Sequence, residues 1–284
     1  MLLSVGDQIE PSDYRAYARD NYAAHFISNT GLISVVHPAW GAGALQLVVK
    51  DMPLEEIKHI TVAEDNVLLN DTAFPITDDM YYNSTLNTAH WAADHLHTNL
   101  QHMHTTLKQK APDASLVFLI DPEHHTCATS AFQRELVKEV RAGAEDLFSG
   151  SIILGVKRVR GCNLGLGADG NRYMAGIMTG LNALQAGINC DFRNIIDLLH
   201  NASRVNNLVV RNQLNLAAEG RANAYEKTVV QAVFAPSEEV IPKAVSAYLQ
   251  SPVPHSADFC TGLFMAIHAA VFNRQPPFTD GGHT

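Results

Sequence analysis

The chain is poor in cysteine and has no long apolar run, and each shortage removes a class of protein. Its four cysteines, Cys127, Cys162, Cys190 and Cys260, show no C-x-x-C spacing, so neither a zinc ribbon nor a disulfide framework is expected. No stretch approaches the ~20 apolar residues that span a bilayer. The opening MLLSVGDQIEPSDYR lacks the basic start and apolar core of a signal peptide, so a cytoplasmic location without membrane contact is the expectation. Basic clusters are missing too. The densest is VKRVR, Val156 to Arg160, in a chain of formal net charge -9. Phosphate backbones need concentrated Lys and Arg, so no nucleic-acid partner is expected.

What is present is enough apolar material for a large core: 46% of 284 residues are hydrophobic and 17% charged. Two domains are expected in an α+β fold. The first, residues 1–150, is β-rich with a mixed α/β segment. Its strands are LISVV, ALQLVV, NVLLN and TAFPI, between about Gly31 and Pro75. A helix from Leu86 to Gln109, a buried strand SLVFLI from Ser115 to Ile120 and a helix from Ala131 to Phe148 complete it. The second, residues 151–284, opens on a plausible strand, SIILGVKRV, and then reads as mainly helical, with Asp191 and Ser237 as caps and Gly220 as a stop.

The segment HWAADHLHTNLQHMH, His90 to His104, looks metal-binding at first. On a helix its apolar stripe is Ala92, Leu96, Leu100, Met103 and Leu107, with His90, His97 and His104 along one border and His95 and His102 along the other. Residues seven apart lie roughly 10 Å apart along the axis, too far to share an ion. No metal is expected there. The polar loop DPEHHTC, Asp121 to Cys127, holds acid, base and thiol groups but no partner motif, and reads first as a loop capping the next helix. HPAWGAG, His37 to Gly43, reads as a turn whose histidine and tryptophan could line a pocket.

The stretch GCNLGLGADGNRYMAGIMTGL, Gly161 to Leu181, matches G-x-G-x-x-G through Gly165, Gly167 and Gly170. A dinucleotide fold would follow with a second parallel strand ending in an acidic residue. Here QAGINCDFRNIIDLLH runs into another helix, and no G-K-[ST] follows, so a P-loop is excluded and a nucleotide-binding enzyme is a minor alternative. A second segment is built alike. Aligned on Gly176 and Gly262, NRYMAGIMTGLNAL and ADFCTGLFMAIHAA share an aromatic three residues before the glycine, Tyr173 and Phe259, and a small residue just before it. Both read as helix starts, whose free N–H groups suit anions, while the two glycines themselves are better read as permitting close helix packing.

In this order, an N-terminal β-rich part, LGLG leading into DGNRYMAG, then NLVVRNQLNLAAEG and HSADFCTG, the chain resembles the AllH and YahE type of proteins from about Gly31 to Ala270. The family motifs read approximately G-x-G-x-T-P-S-G-D-D-x-x-x-G and S-G-x-D-x-x-x-G. Gly170, Gly176, Asp258 and Gly262 match, whereas the paired aspartates fall on Asn171 and Arg172, the serine on Asp169, and the S-G pair on His255 and Ser256. The resemblance implies a cytoplasmic subunit of an oxamate carbamoyltransferase-like complex of purine (allantoin) catabolism, beside an FdrA-like protein and other subunits. That transferase turns oxalurate and phosphate into oxamate and carbamoyl phosphate.

The site expected from motifs and helix starts together has Arg172 and Asp258 as catalytic residues. Gly165, Gly167, Asp169, Gly170, Asn171, His255 and Ser256 bind a small anionic substrate, with no metal and no cofactor. Arg172 would point at the ligand from a first helical turn with few core contacts. Oligomerisation is expected. The alternative is a non-catalytic structural or regulatory subunit whose site has decayed.

Overall fold

Period-two alternation in the N-terminal part and three- to four-residue periodicity after it are what the computed structural model displays, over residues 1–86, 93–124, 128–185 and 191–272. Nine strands form one curled mixed sheet: β1 Leu2–Gly6, β2 Ser12–Arg19, β3 Ala23–Ile27, β4 Leu32–Val36, β5 Gln46–Val49, β6 His59–Val62, β7 Asn66–Leu69, β8 Thr72–Pro75 and β9 Tyr81–Tyr82. Their spatial order is β8-β7-β6-β2-β3-β4-β5-β1-β9, with β4/β5 and β1/β9 parallel and the other pairs antiparallel. The expected strands fall on β4, β5, β7 and β8, but the sheet begins well before Gly31.

Alternation assigns the two faces of this sheet. Phe26, Ile33, Val35, Leu47 and Val49 enter a core inside the curl, together with Leu2, Ile60 and Leu69. Their neighbours Ala23, Val36 and Val48 join the larger core of the helices. The middle strands β3, β4 and β5 are therefore buried on both faces.

The helices among the described residues are α1 Ala93–Lys110, α2 Ala131–Phe148, α3 Ile152–Arg160, α4 Gly170–Gln185, α5 Arg193–Ala202, α6 Leu208–Ala218, α7 Ala224–Phe234, α8 Val240–Gln250 and α9 Ser256–Phe272. The fold is α+β. Helix α2 starts at a capping box of Ser130 and Gln133. Asp191 accepts from Arg193 N (2.8 Å) at the start of α5, and Gly220, at φ +69°, follows the end of α6. The N-cap position of α8 is Glu239 rather than Ser237. Helix α1 lies against α7, α8 and α9, and α2 against α3, so helices preceding residue 151 share the C-terminal helical core.

Two expected strands are helical. Residues Leu116–Leu119 form a 3₁₀ turn, all four side chains buried, and SIILGVKRV is most of α3. Short continuous apolar runs fit a buried helix or turn as well as a strand. Leu96, Leu100, Met103 and Leu107 form the buried stripe of α1, while His95, His97, His102 and His104 are half-buried or exposed along its borders. His90, Ala92 and the His125 to Cys127 part of DPEHHTC lie outside the described residues.

Candidate functional site

The two similar segments meet. Helices α4 and α9 cross at their glycines, so closely that a Cβ on Gly176 would lie 2.0 Å from the Phe259 carbonyl oxygen and one on Gly262 would lie 2.1 Å from that of Tyr173. The contact is reciprocal, and close packing is the role of both glycines.

Around the crossing, the chain's own side chains occupy the loop amides. Asp258, 1% exposed, accepts from Leu116 N (2.7 Å, Oδ1) and Asp169 N (2.6 Å, Oδ2). Gly170 N donates to Asn163 Oδ1 (3.0 Å), and Asn171 N donates to Asp169 Oδ1 (2.8 Å). Burial pushes the Asp258 carboxyl up from the usual carboxylate range, while His255 and the two amides pull it back. His255 stands at φ +56° with Nδ1 3.4 Å from Asp258 Oδ2, and the bond to Asp258 raises its pKa. Ser256 is buried at the first position of α9. Gly165 accepts from Gln133 Nε2 (3.0 Å), Gly167 turns at φ +70° above Ala114, and Gly170 packs on the Val159 carbonyl. Asp258, Asp169, Asn163, Gly170, Asn171 and His255 thus form one hydrogen-bonded cluster, in which the carboxylates beside the loop are Asp258 and Asp169.

Arg172 goes elsewhere. It is 5% exposed, and its Nη2 donates to Glu226 Oε1 (2.7 Å) and to the Tyr248 hydroxyl. Its guanidinium lies 5.3 Å from the centre of the Phe259 ring. Burial works against its charge, but Tyr248 and Glu226 outweigh burial and hold the group above its ordinary range, so it stays protonated. Glu226 is pinned from the other side: its Oε2 accepts from Asn223 N (3.0 Å), closing the capping box that starts α7. The expectation of few core contacts for Arg172 is therefore corrected, because a residue of the first turn of α4 is locked between α7, α8 and α9.

Arg172 also lines a cavity of about 150 Å³ between the sheet and the helices. At ~30 Å³ per water in the liquid, that space suits a small molecule. Its sheet side is a polar row across three neighbouring strands, His25, Ser34 and Gln46, paired in register as His25↔Ser34 and Ser34↔Gln46. Trp40, from the HPAWGAG turn, lines it as well. The charged lining residues are Asp20, Arg172, Arg221 and Glu226; Arg172 pairs with Glu226, Arg221 pairs at 3.0 Å with Asp7, outside the lining, and Asp20 lies 3.7 Å from His25. Two buried polar atoms of lining residues have no hydrogen-bond partner, Arg172 Nε and Gln46 Oε1. A buried, unsatisfied N–H on a charged group is costly.

Reasoning from sequence did not single out His25, Ser34, Gln46, Glu226 or Tyr248. A signal existed for the first three, since each is the polar residue at an alternate position of an otherwise apolar strand. Among the described residues no group of three His, Cys, Asp or Glu side chains is placed to hold a metal, and no helix is long and apolar enough to cross a membrane. No family model matches the chain, and no curated protein or solved structure shows significant similarity to it.

Proposed function

We propose that this chain binds a small carboxylic acid in the cavity beneath β3, β4 and β5, as a cytoplasmic subunit of an oxamate carbamoyltransferase-like assembly with an FdrA-like partner. The assembly part of this reading rests on the motif resemblance. The binding part rests on one observation: Arg172 of the first motif, whose buried Nε–H has no partner, is a lining residue of a small cavity that carries a polar row on its sheet side. A carboxylate oxygen there would complete the guanidinium's hydrogen bonding, and an amide or carbamoyl nitrogen could donate to Gln46 Oε1. Positioning and charge stabilisation of this kind serve carbamoyl transfer without a cofactor.

The second reading, a structural subunit with a decayed site, draws on the Asp258 cluster, where the loop amides already have acceptors from the chain itself. Calorimetric titration separates the two. Oxamate, oxalurate, carbamoyl phosphate and phosphate are titrated into wild type and Arg172→Lys, a variant that keeps a cation for Glu226 and removes the Nε–H. A charge-assisted hydrogen bond is worth roughly 1.5–3 kcal/mol, so at least one of the acids should bind wild type and lose about tenfold or more in the variant. Absence of binding by all four ligands to folded wild type, alone and with partner subunits, selects the structural reading.

A further inference from the structure

We infer that Ser34 is a nucleophile in this cavity, with His25 as its general base and Asp20 as the carboxylate that orients the base. The Ser34 hydroxyl lies 2.8 Å from His25 Nδ1, within reach for proton transfer. On the far side of the ring, Asp20 Oδ2 stands 3.7 Å from Nε2. That carboxylate favours the tautomer protonated at Nε2, which leaves the Nδ1 lone pair to accept from Ser34. Asp20, His25 and Ser34 line the same cavity. The arrangement has the parts of an activated-nucleophile site: nucleophile, base and orienting acid.

Two further observations fit a working base rather than a packing accident. Burial, partly offset by Asp20, lowers the His25 pKa below its ordinary value, so the ring is neutral and able to take a proton near pH 7. Ser34 and His25 sit opposite each other on paired central strands of the sheet, which hold the hydroxyl and the ring in fixed relation.

The chemistry assigned is transfer of an acyl or carbamoyl group from a small amide or ester to Ser34 and then to water. The Ser34 Oγ–C bond forms as the hydroxyl proton passes to His25 Nδ1, and the carbonyl electron pair moves onto oxygen. Collapse of that intermediate breaks the bond from carbon to the leaving nitrogen or oxygen, which takes the proton from Nδ1. Water, deprotonated by His25, then attacks the Ser34 ester and returns the hydroxyl.

This inference can fail while the binding proposal stands, because its test needs no natural ligand. Methanesulfonyl fluoride, a small serine-directed electrophile that loses fluoride as Oγ–S forms, is incubated with the full chain, and the adduct is located by peptide mass spectrometry. The expected result is an adduct on Ser34 that is absent in Ser34→Ala and forms about a hundredfold more slowly in His25→Gln, the scale of a lost general base. Thermal melting checks that each variant is folded. Asp20→Asn, altered at a half-exposed side chain, carries the test if His25→Gln does not fold, and it should also label more slowly than wild type. Folded wild type without an adduct at Ser34, or labelling at the wild-type rate in the His25 and Asp20 variants, overturns the assignment.

Discussion

Arg172 and Asp258 occupy equivalent places, each the third residue of its helix and each four residues before the crossing glycine. They carry opposite charges, are both buried, and are held in different ways. Asp258 receives two backbone N–H groups and lies against His255, so its carboxylate serves the fold by joining the Leu116 turn and the α4 loop to α9. Arg172 has one carboxylate, one hydroxyl and one aromatic face, and its Nε–H is buried without a partner. The difference teaches that equivalent positions in two similar motifs need not form one site. At Asp258 the chain's own amides fill the carboxylate, whereas at Arg172 a buried N–H is left unsatisfied, as are other buried polar atoms such as Asn171 Oδ1 and Thr179 Oγ1.

The largest effect is expected where neither charge is involved. Gly176→Ala would press a methyl group into the Phe259 carbonyl and drive apart the helices that place both residues, costing on the order of 4–5 kcal/mol. Chemical denaturation should find the variant largely unfolded. A native-like midpoint would show that α4 and α9 are not joined as described.

Next come the two charges. Arg172→Ala leaves Glu226 buried opposite a gap and should cost about 3–4 kcal/mol, and Arg172→Met combined with Glu226→Gln should cost less than the single change. Asp258→Ala leaves the amides of Leu116 and Asp169 without their acceptor and should cost about 2–3 kcal/mol. Urea midpoints measure all three. If the double variant is no more stable than Arg172→Ala, the ion pair is not what the arginine contributes.

The smallest effect is a pH dependence. The folded-state pKa of His255 is raised above 6.5, so its contribution is complete below pH 6.5 and is lost as pH rises through the higher folded value. With the His255 side chain 38% exposed, solvent screening keeps that contribution below about 1 kcal/mol. His255→Asn, which tolerates the positive φ, should flatten the decline of the melting temperature on the alkaline side. An identical decline in both proteins would assign it to other groups.

How far the sequence carried these conclusions differs between fold and site. The strands LISVV and NVLLN, short apolar runs between turn residues, and the helix from Ala131 to Phe148 were readable because local rules decide them. The turn at Leu116–Leu119 and helix α3 were misread because a short apolar run is buried in any of three conformations. In the candidate site, Arg172 stood out through the glycine motif, but its meaning depends on Glu226 and Tyr248, which lie 54 and 76 residues away. His25, Ser34 and Gln46 come together only through strand register, a mixture of antiparallel and parallel pairings that no local pattern specifies.

The central claim, that the unpartnered N–H of Arg172 receives a small acid, is tested most directly by following that proton. In ¹⁵N-labelled protein the Arg172 Nε–H resonance is identified by its loss in Arg172→Lys, and oxamate is then titrated. The account predicts a saturable shift of this resonance, with perturbation of the Gln46 side-chain amide. A resonance that stays in place throughout the titration, in folded protein, would contradict it.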